Sequence, residues 1–302
     1  MTALDVLGYE RPSRLRPRSA GLVGLVVPDL ETPTVPLYAK VIETALSRQG
    51  YTPVLCAQSS EGASEDEYVG MLLDRGVAGI IFVGGMHADP ALGHDRYHDL
   101  VRQRLPMVLV NGSIPDIELP MIACDDHVAG ELAVGHLTGL GHRRIGFIAG
   151  LHRLTPVRRQ LHGFLAASNA QGVDVSGEVV ESSLPEAESG YAGAVQLLRK
   201  GVTALVCSSD MTALGAIRAV RQRHLRVPED VSVIGYGDSA MMGFTEPPLT
   251  TVRQPSLSMG AAAVRMLIDE IRGHGSPKGE SLFLPELVIR SSTGTASALS
   301  AT

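Results

Sequence analysis

The feature that most constrains this fold is an alternation. Short β-branched, apolar runs stop at Gly, Pro, Asn or Asp, and stretches of helical period separate them. The runs GLVGLVVPD, TPVLCAQ, VAGIIFVGG, PMVLVNG and MIACDD alternate with predicted helices at 37–49, 65–75 and 94–104. Strands this continuously apolar are buried on both faces, as in a parallel sheet covered by helices. The series restarts with RRIGFIAG, VVESS, ALVCSSD and VSVIGYGD, interleaved with helical stretches near 131–140, 159–170, 190–199 and 211–223. Two successive α/β halves built of βαβ units are therefore predicted. Beyond them come EPPLTTVRQP, a helix at about 259–272, the turn GHGSPKG and one last strand, LFLPELVIR. That ending suits a chain that crosses between two lobes more than once. Ligands of such sheets bind beyond the strands' carboxyl ends, so the informative residues are those just after each run.

The 302 residues accommodate two domains of ordinary size. With 44% hydrophobic and 19% charged residues, the chain is neither disordered nor a low-complexity fibre. A net charge of −6 argues against a surface that is a nucleic-acid clamp throughout, while leaving room for a local basic patch. Cys56, Cys124 and Cys207 stand singly in apolar stretches without a CxxC pair, as buried thiols of a reducing compartment do. The opening MTALDVLGYERPSRL carries scattered charges and no signal-peptide core, and no apolar run reaches the roughly 18 residues of a membrane helix. A soluble, cytoplasmic protein is expected.

Motifs for catalysis are missing. His94 and His98 in HDRYH have the i, i+4 spacing of metal ligands. Only His87, Asp95 or Asp99 stand near as a third ligand, so a solvated helix face is the expected role and no metal is predicted. Where a dinucleotide site needs GxGxxG the chain has PDLETP, and no GxSxG elbow occurs. No cofactor and no enzymatic activity are predicted. In ERPSRLRPRSAG, four arginines oppose Glu10, a local charge of +3. Such a segment either neutralises phosphates or is a solvated linker.

In the order and spacing of LGYERPSRL, GLVGLVVPDL, GHRRIGFIAG, SSDMTALGAIRAV, VSVIGYGDS and PPLTTVRQP, the chain resembles the LacI/GalR family of bacterial transcription regulators from about Leu4 to Thr293. Each string alone is weak, but six in register are specific. The resemblance implies an α/β fold of two Rossmann-like lobes with parallel sheets, like periplasmic binding proteins, joined by three crossovers. It implies a headpiece end and hinge at 1–19, an N-terminal lobe of 20–123 plus 254–278, a C-terminal lobe of 124–251 plus 279–295, and a tail at 296–302. It further implies an effector-responsive regulator, of repressor type, that forms homodimers through 37–49 and 65–75 and binds operator DNA. Family members begin with a helix-turn-helix. Here MTALDVLGY resembles only its end, so most of the headpiece is expected to be missing, through trimming or a misassigned start rather than a naturally headless chain. Arg11, Arg14, Leu15, Arg16 and Arg18 are the implied hinge contacts to DNA, with Leu15 as a minor-groove wedge, although the usual ARSL-like string is absent and Pro17 interrupts the hinge. The alternative is a solute-binding protein of a transport system, which the missing signal peptide and the hinge remnant oppose.

The resemblance also implies an effector site, for a sugar or sugar derivative. Asp125 matches the family's acid at the lobe crossover, and Asp210 the acid of its "ND" string, with Ser209 in place of Asn. For both, a helix cap is the competing reading. Gln160 stands where sugar-binding relatives carry arginine, and Gly237 where they carry aspartate. Arg158, Arg159 and Asp238 are neighbouring substitutes, although one residue along a helix turns a side chain by about 100°. The aromatics after the first strand are replaced by Thr34 and Val35, with Tyr38 close by; Met86, Asn111, Tyr191 and Tyr236 complete the predicted lining.

Overall fold

The computed structural model describes residues 21–58, 62–173, 179–181 and 186–296. The hinge candidates Arg11, Arg14, Leu15, Arg16 and Arg18 lie outside them, as do tail residues 297–302.

The first lobe runs β1 (Leu22–Val27), α1 (Thr34–Arg48), β2 (Thr52–Ala57), α2 (Glu65–Asp74), β3 (Gly79–Val83), α3 (Asp95–Arg102), β4 (Met107–Val110) and β5 (Pro120–Cys124). The chain then crosses to α4 (Asp126–Gly139), β6 (Ile145–Gly150), α5 (Thr155–Ala170), β7 (Val179–Glu181), α6 (Glu186–Arg199), β8 (Ala204–Cys207), α7 (Asp210–Gln222), β9 (Ser232–Gly237) and β10 (Thr250–Arg253). It returns for α8 (Ser256–Ile271) and β11 (Gly279–Phe283), and crosses a third time into β12 (Glu286–Val288).

Two six-stranded sheets result, with equivalent windings: β11-β5-β4-β3-β1-β2 and β12-β10-β9-β8-β6-β7. The first is parallel throughout; in the second only β12 runs antiparallel, against β10. Each sheet is covered on both faces, which is why its strands read as unbroken apolar runs. In the first lobe α1 and α8 close one face around Ile42, Leu46, Met259 and Leu267, and Leu72, Tyr97 and Leu100 of α2 and α3 close the other. In the second lobe α4 and α5 pack around Phe147 and Phe164, and α6 and α7 around Leu197 and Val220. Both second-lobe helix pairs approach to backbone contact through glycines. A Cβ on Gly163 would collide with the His127 carbonyl, and one on Gly190 with that of Thr212.

The ending differs from expectation. The segment 279–295, expected in the C-terminal lobe, divides: β11 pairs with β5 in the first sheet, Ser281 opposite Ile122, and β12 pairs with β10 in the second. Residues 282–284 and 287–289 are apolar on both sides of Pro285 and Glu286, so hydropathy does not show that they join different sheets. Pro285, which has no N–H to give a ladder, stands between β11 and β12 and marks the third crossover. Helices also begin earlier than their apolar periodicity shows. α4 starts at Asp126 and α6 at Glu186, because first turns are polar.

Candidate functional site

Each sheet reverses its winding at its first strand: β1 lies between β2 and β3, and β6 between β7 and β8. The connections leaving these strands diverge there and open a crevice. Side chains reach across from both lobes at this level, in three groups.

The first group surrounds Asp126, which is 1% exposed and accepts a hydrogen bond from the Tyr236 hydroxyl. Burial pushes its carboxyl up to about 7, against the opposing pull of Tyr236 and Arg159. Burial likewise holds the Tyr236 phenol well above its ordinary value, and the Asp126 charge adds to that. Arg159, on α5, donates from both terminal nitrogens to the two carboxylate oxygens of Glu280 at 2.8 Å, and lies 3.5 Å from Ser113 Oγ. Glu280 belongs to β11 and Ser113 follows β4, so this bidentate pair spans the lobes. Arg153 and Asp89 make a second ion pair between them.

The second group surrounds Asp210. Its carboxylate accepts from the Thr251 hydroxyl at 2.6 Å and from the Ser239 amide at 3.2 Å, and burial raises its pKa. Beside it Ser209 caps α7 and donates to Glu186 at 3.0 Å. Burial raises the Glu186 pKa too, with the Asp29 and Asp210 charges contributing. Gly237 adopts φ +129°, and a Cβ there would stand 2.8 Å from Thr34 Cγ2 and 3.3 Å from Asp210 Oδ2. An aspartate has no room at this position while α1 and β9 are so close.

In the third group, Tyr38 donates to Gln254 Oε1 at 2.9 Å and Asn111 Nδ2 does so at 3.3 Å. Gln254 directly follows β10, so this group fastens the second crossover. Burial raises the Tyr38 pKa.

Thr34, Tyr38, Asn111, Arg159, Asp210 and Tyr236 therefore meet at the interlobe level. Several predicted site residues sit elsewhere. Asp125 caps α4 by accepting from the Val128 amide at 3.3 Å, and its neighbour Asp126 is the acid that turns inward. Val35 is buried in the first lobe's core. Met86 opens a short 3₁₀ turn and lines a cavity of about 440 Å³ between α2 and α3. Gln160 is 4% exposed, and its backbone carbonyl packs closely against Gly130 of α4. Tyr191 faces α7: its hydroxyl meets Gln222, and Arg218 stands 4.8 Å above its ring. Asp238 is taken by Arg253 and Arg290, both at 2.6 Å, and braces the crossovers.

Asp126, Ser113, Glu186, Gln254 and Glu280 escaped the sequence reading. Only Asp126 left a signal, as half of a DD pair at a strand end. His94 bonds the Met86 and Asp89 carbonyls at 3.3 and 3.2 Å. Among the described residues no group of three or more His, Cys, Asp or Glu is placed to hold a metal ion, and no helix is long and apolar enough to cross a membrane. All three cysteines are buried and free.

Comparison with known proteins agrees with this architecture. Residues 134–293 match the periplasmic binding protein-like domain family. The transcriptional regulator MalR of Streptomyces coelicolor is 53% identical over 300 residues, covering 98% of this chain and 87% of that protein. The repressor CytR of Escherichia coli is 31% identical over 271 residues, covering 89% and 78%. Among solved structures, the regulator CelR in complex with cellobiose superposes with a TM-score of 0.79 at 30% identity, covering 91% of this chain and 85% of that one. A LacI family regulator from Enterococcus faecium with bound ribose gives 0.79 at 26% identity, covering 91% and 99%. Two equivalently wound lobes, three crossovers, a polar interlobe level and relatives that regulate transcription lead to one assignment: the chain belongs to the LacI/GalR family of transcription regulators.

Proposed function

We propose that the crevice between the lobes takes a carbohydrate effector, and that its occupancy sets how a homodimer of this chain engages operator DNA. The observation that carries this reading is the Arg159–Glu280 pair beside Asp126 and Tyr236. Polar groups from both lobes converge there with their hydrogen bonds met by one another. A polyhydroxylated ring offers donors and acceptors that can replace those partners. Exchange of the cross-lobe pair for ligand contacts gives the effector a differential hold on open and closed lobes, as a two-state regulator requires. Arg11, Arg14, Leu15, Arg16 and Arg18 precede the first lobe and are the proposed relay to DNA. The relatives named above include complexes with ribose and cellobiose, which favours a sugar over other polar ligands.

A thermal-shift panel of ribose, cellobiose, other sugars, polyols and purines tests this reading. A ligand at one hundred times its Kd stabilises the folded state by roughly 2.7 kcal/mol. A shift with a sugar, reduced in Asp126→Asn and Arg159→Gln, is expected. A response confined to purines would refute the carbohydrate assignment, and a monomeric mass by sedimentation would refute the dimer.

A further inference from the structure

The start of α4 and the first half of α5 border a groove of about 650 Å³ on the second lobe, which shares only Arg159 with the contacts above. It lies within the size range of small-molecule sites. His127, His152, Arg158 and His162 line it with Arg159, over a floor that includes Leu161 and Leu165. The His127 and His162 rings meet edge to face with centroids 5.2 Å apart. Gly163, seated against the His127 carbonyl, sets that spacing by bringing α5 onto α4. Among the described residues, two carboxylates face these side chains. Glu131 lies 3.5 Å from His127 Nδ1, and Glu280 occupies the Arg159 fork. Arg158 is exposed and makes no ion pair among the described residues.

From this geometry we infer that the groove is an anion subsite and that the effector is a phosphorylated sugar, with its ring in the interlobe crevice and its phosphate among Arg158, His127 and His162. A planar guanidinium with imidazole N–H groups matches the oxygens of a phosphate monoester, and the leucine floor suits the C–H face of a sugar. Arg159 lines the groove and also reaches Glu280 across the lobes, so one side chain borders both regions. The inference rests on the carbohydrate reading of the crevice and narrows it to one class.

Calorimetry on the 302-residue chain at constant ionic strength tests it, with ribose, glucose and cellobiose, their terminal phosphate esters, and inorganic phosphate as probes. At least one ester should bind at least about tenfold tighter than its parent sugar, the scale of one charge-assisted contact. In Arg158→Gln/His162→Asn, checked for folding by circular dichroism and Tm, that ratio should fall close to one. Equal affinities for ester and parent would overturn the subsite and leave the carbohydrate reading standing. A preference that survives the double variant would also overturn it, by placing the phosphate elsewhere. Binding of inorganic phosphate alone, or of no probe, would overturn both readings.

Discussion

Asp126→Asn is the substitution whose consequence follows most directly from the structure. Burial pushes the wild-type carboxyl up to about 7, from an ordinary value of 3.8. Between those values the folded protein holds a proton that the unfolded chain has lost. Stability from this group is therefore present at low pH and is lost as pH rises through 7. At about 1.4 kcal/mol per unit the full offset is about 4 kcal/mol, of which about 3 kcal/mol disappears between pH 5 and pH 8. Asparagine keeps the shape and can still accept from Tyr236, but does not titrate. Urea unfolding of both proteins from pH 5 to 8 measures the effect. The wild-type profile alone does not isolate it, because burial holds His87 down at about 4 and so removes stability as pH falls below 6.5. Both proteins carry His87, so the difference between them cancels it. The wild-type advantage over the variant should shrink by about 3 kcal/mol across this range. Parallel profiles, with a difference constant to within about 0.5 kcal/mol, would refute the argument that Asp126 is forced into a desolvated site.

Gly237→Ala should destabilise the protein by about 1–3 kcal/mol in urea unfolding, since it forces a left-handed φ and a 2.8 Å approach to Thr34 Cγ2. Thr34→Ser, which removes that methyl, should restore part of the loss. Glu280→Gln should weaken the bond across the lobes by about 1 kcal/mol, because the pair is partly exposed. Small-angle scattering should then report a larger radius of gyration, and an unchanged value would show that the pair does not hold the lobes together.

The fold was legible because the central strands are buried on two faces and so stay apolar along their whole length, as in Ile80–Phe82 and Val233–Ile234. Periodicity alone cannot tell which sheet a strand joins, and 279–283 therefore went to the wrong lobe. The site was harder to read, for a related reason. A strand end offers two adjacent acids, Asp125 and Asp126, and one residue decides which caps the helix and which turns inward. Tyr191 has the composition of a ring-stacking residue, yet the pairing of α6 with α7 gives it to Gln222 and Arg218. Gln254 and Glu280 serve the interlobe level only because the chain crosses three times, and no local pattern announces a crossover.

Those crossovers also explain how this chain departs from its sugar-binding relatives without losing a polar site. The family resemblance implies an arginine and an aspartate at the positions where this protein has Gln160 and Gly237. Here Gly237 has no room for a side chain between Thr34 and Asp210, and Gln160 is buried against α4. The guanidinium instead comes from Arg159, one residue along α5, and is aimed across the lobes at β11 rather than down into its own lobe. A carboxylate from the other lobe, Glu280, must then complete it. This transfers part of the polar recognition from within one lobe to between two, so the groups that would hold an effector are also the groups that hold the lobes together. A ligand that competes for them changes lobe closure by the same contacts through which it binds, which is the coupling a regulator needs.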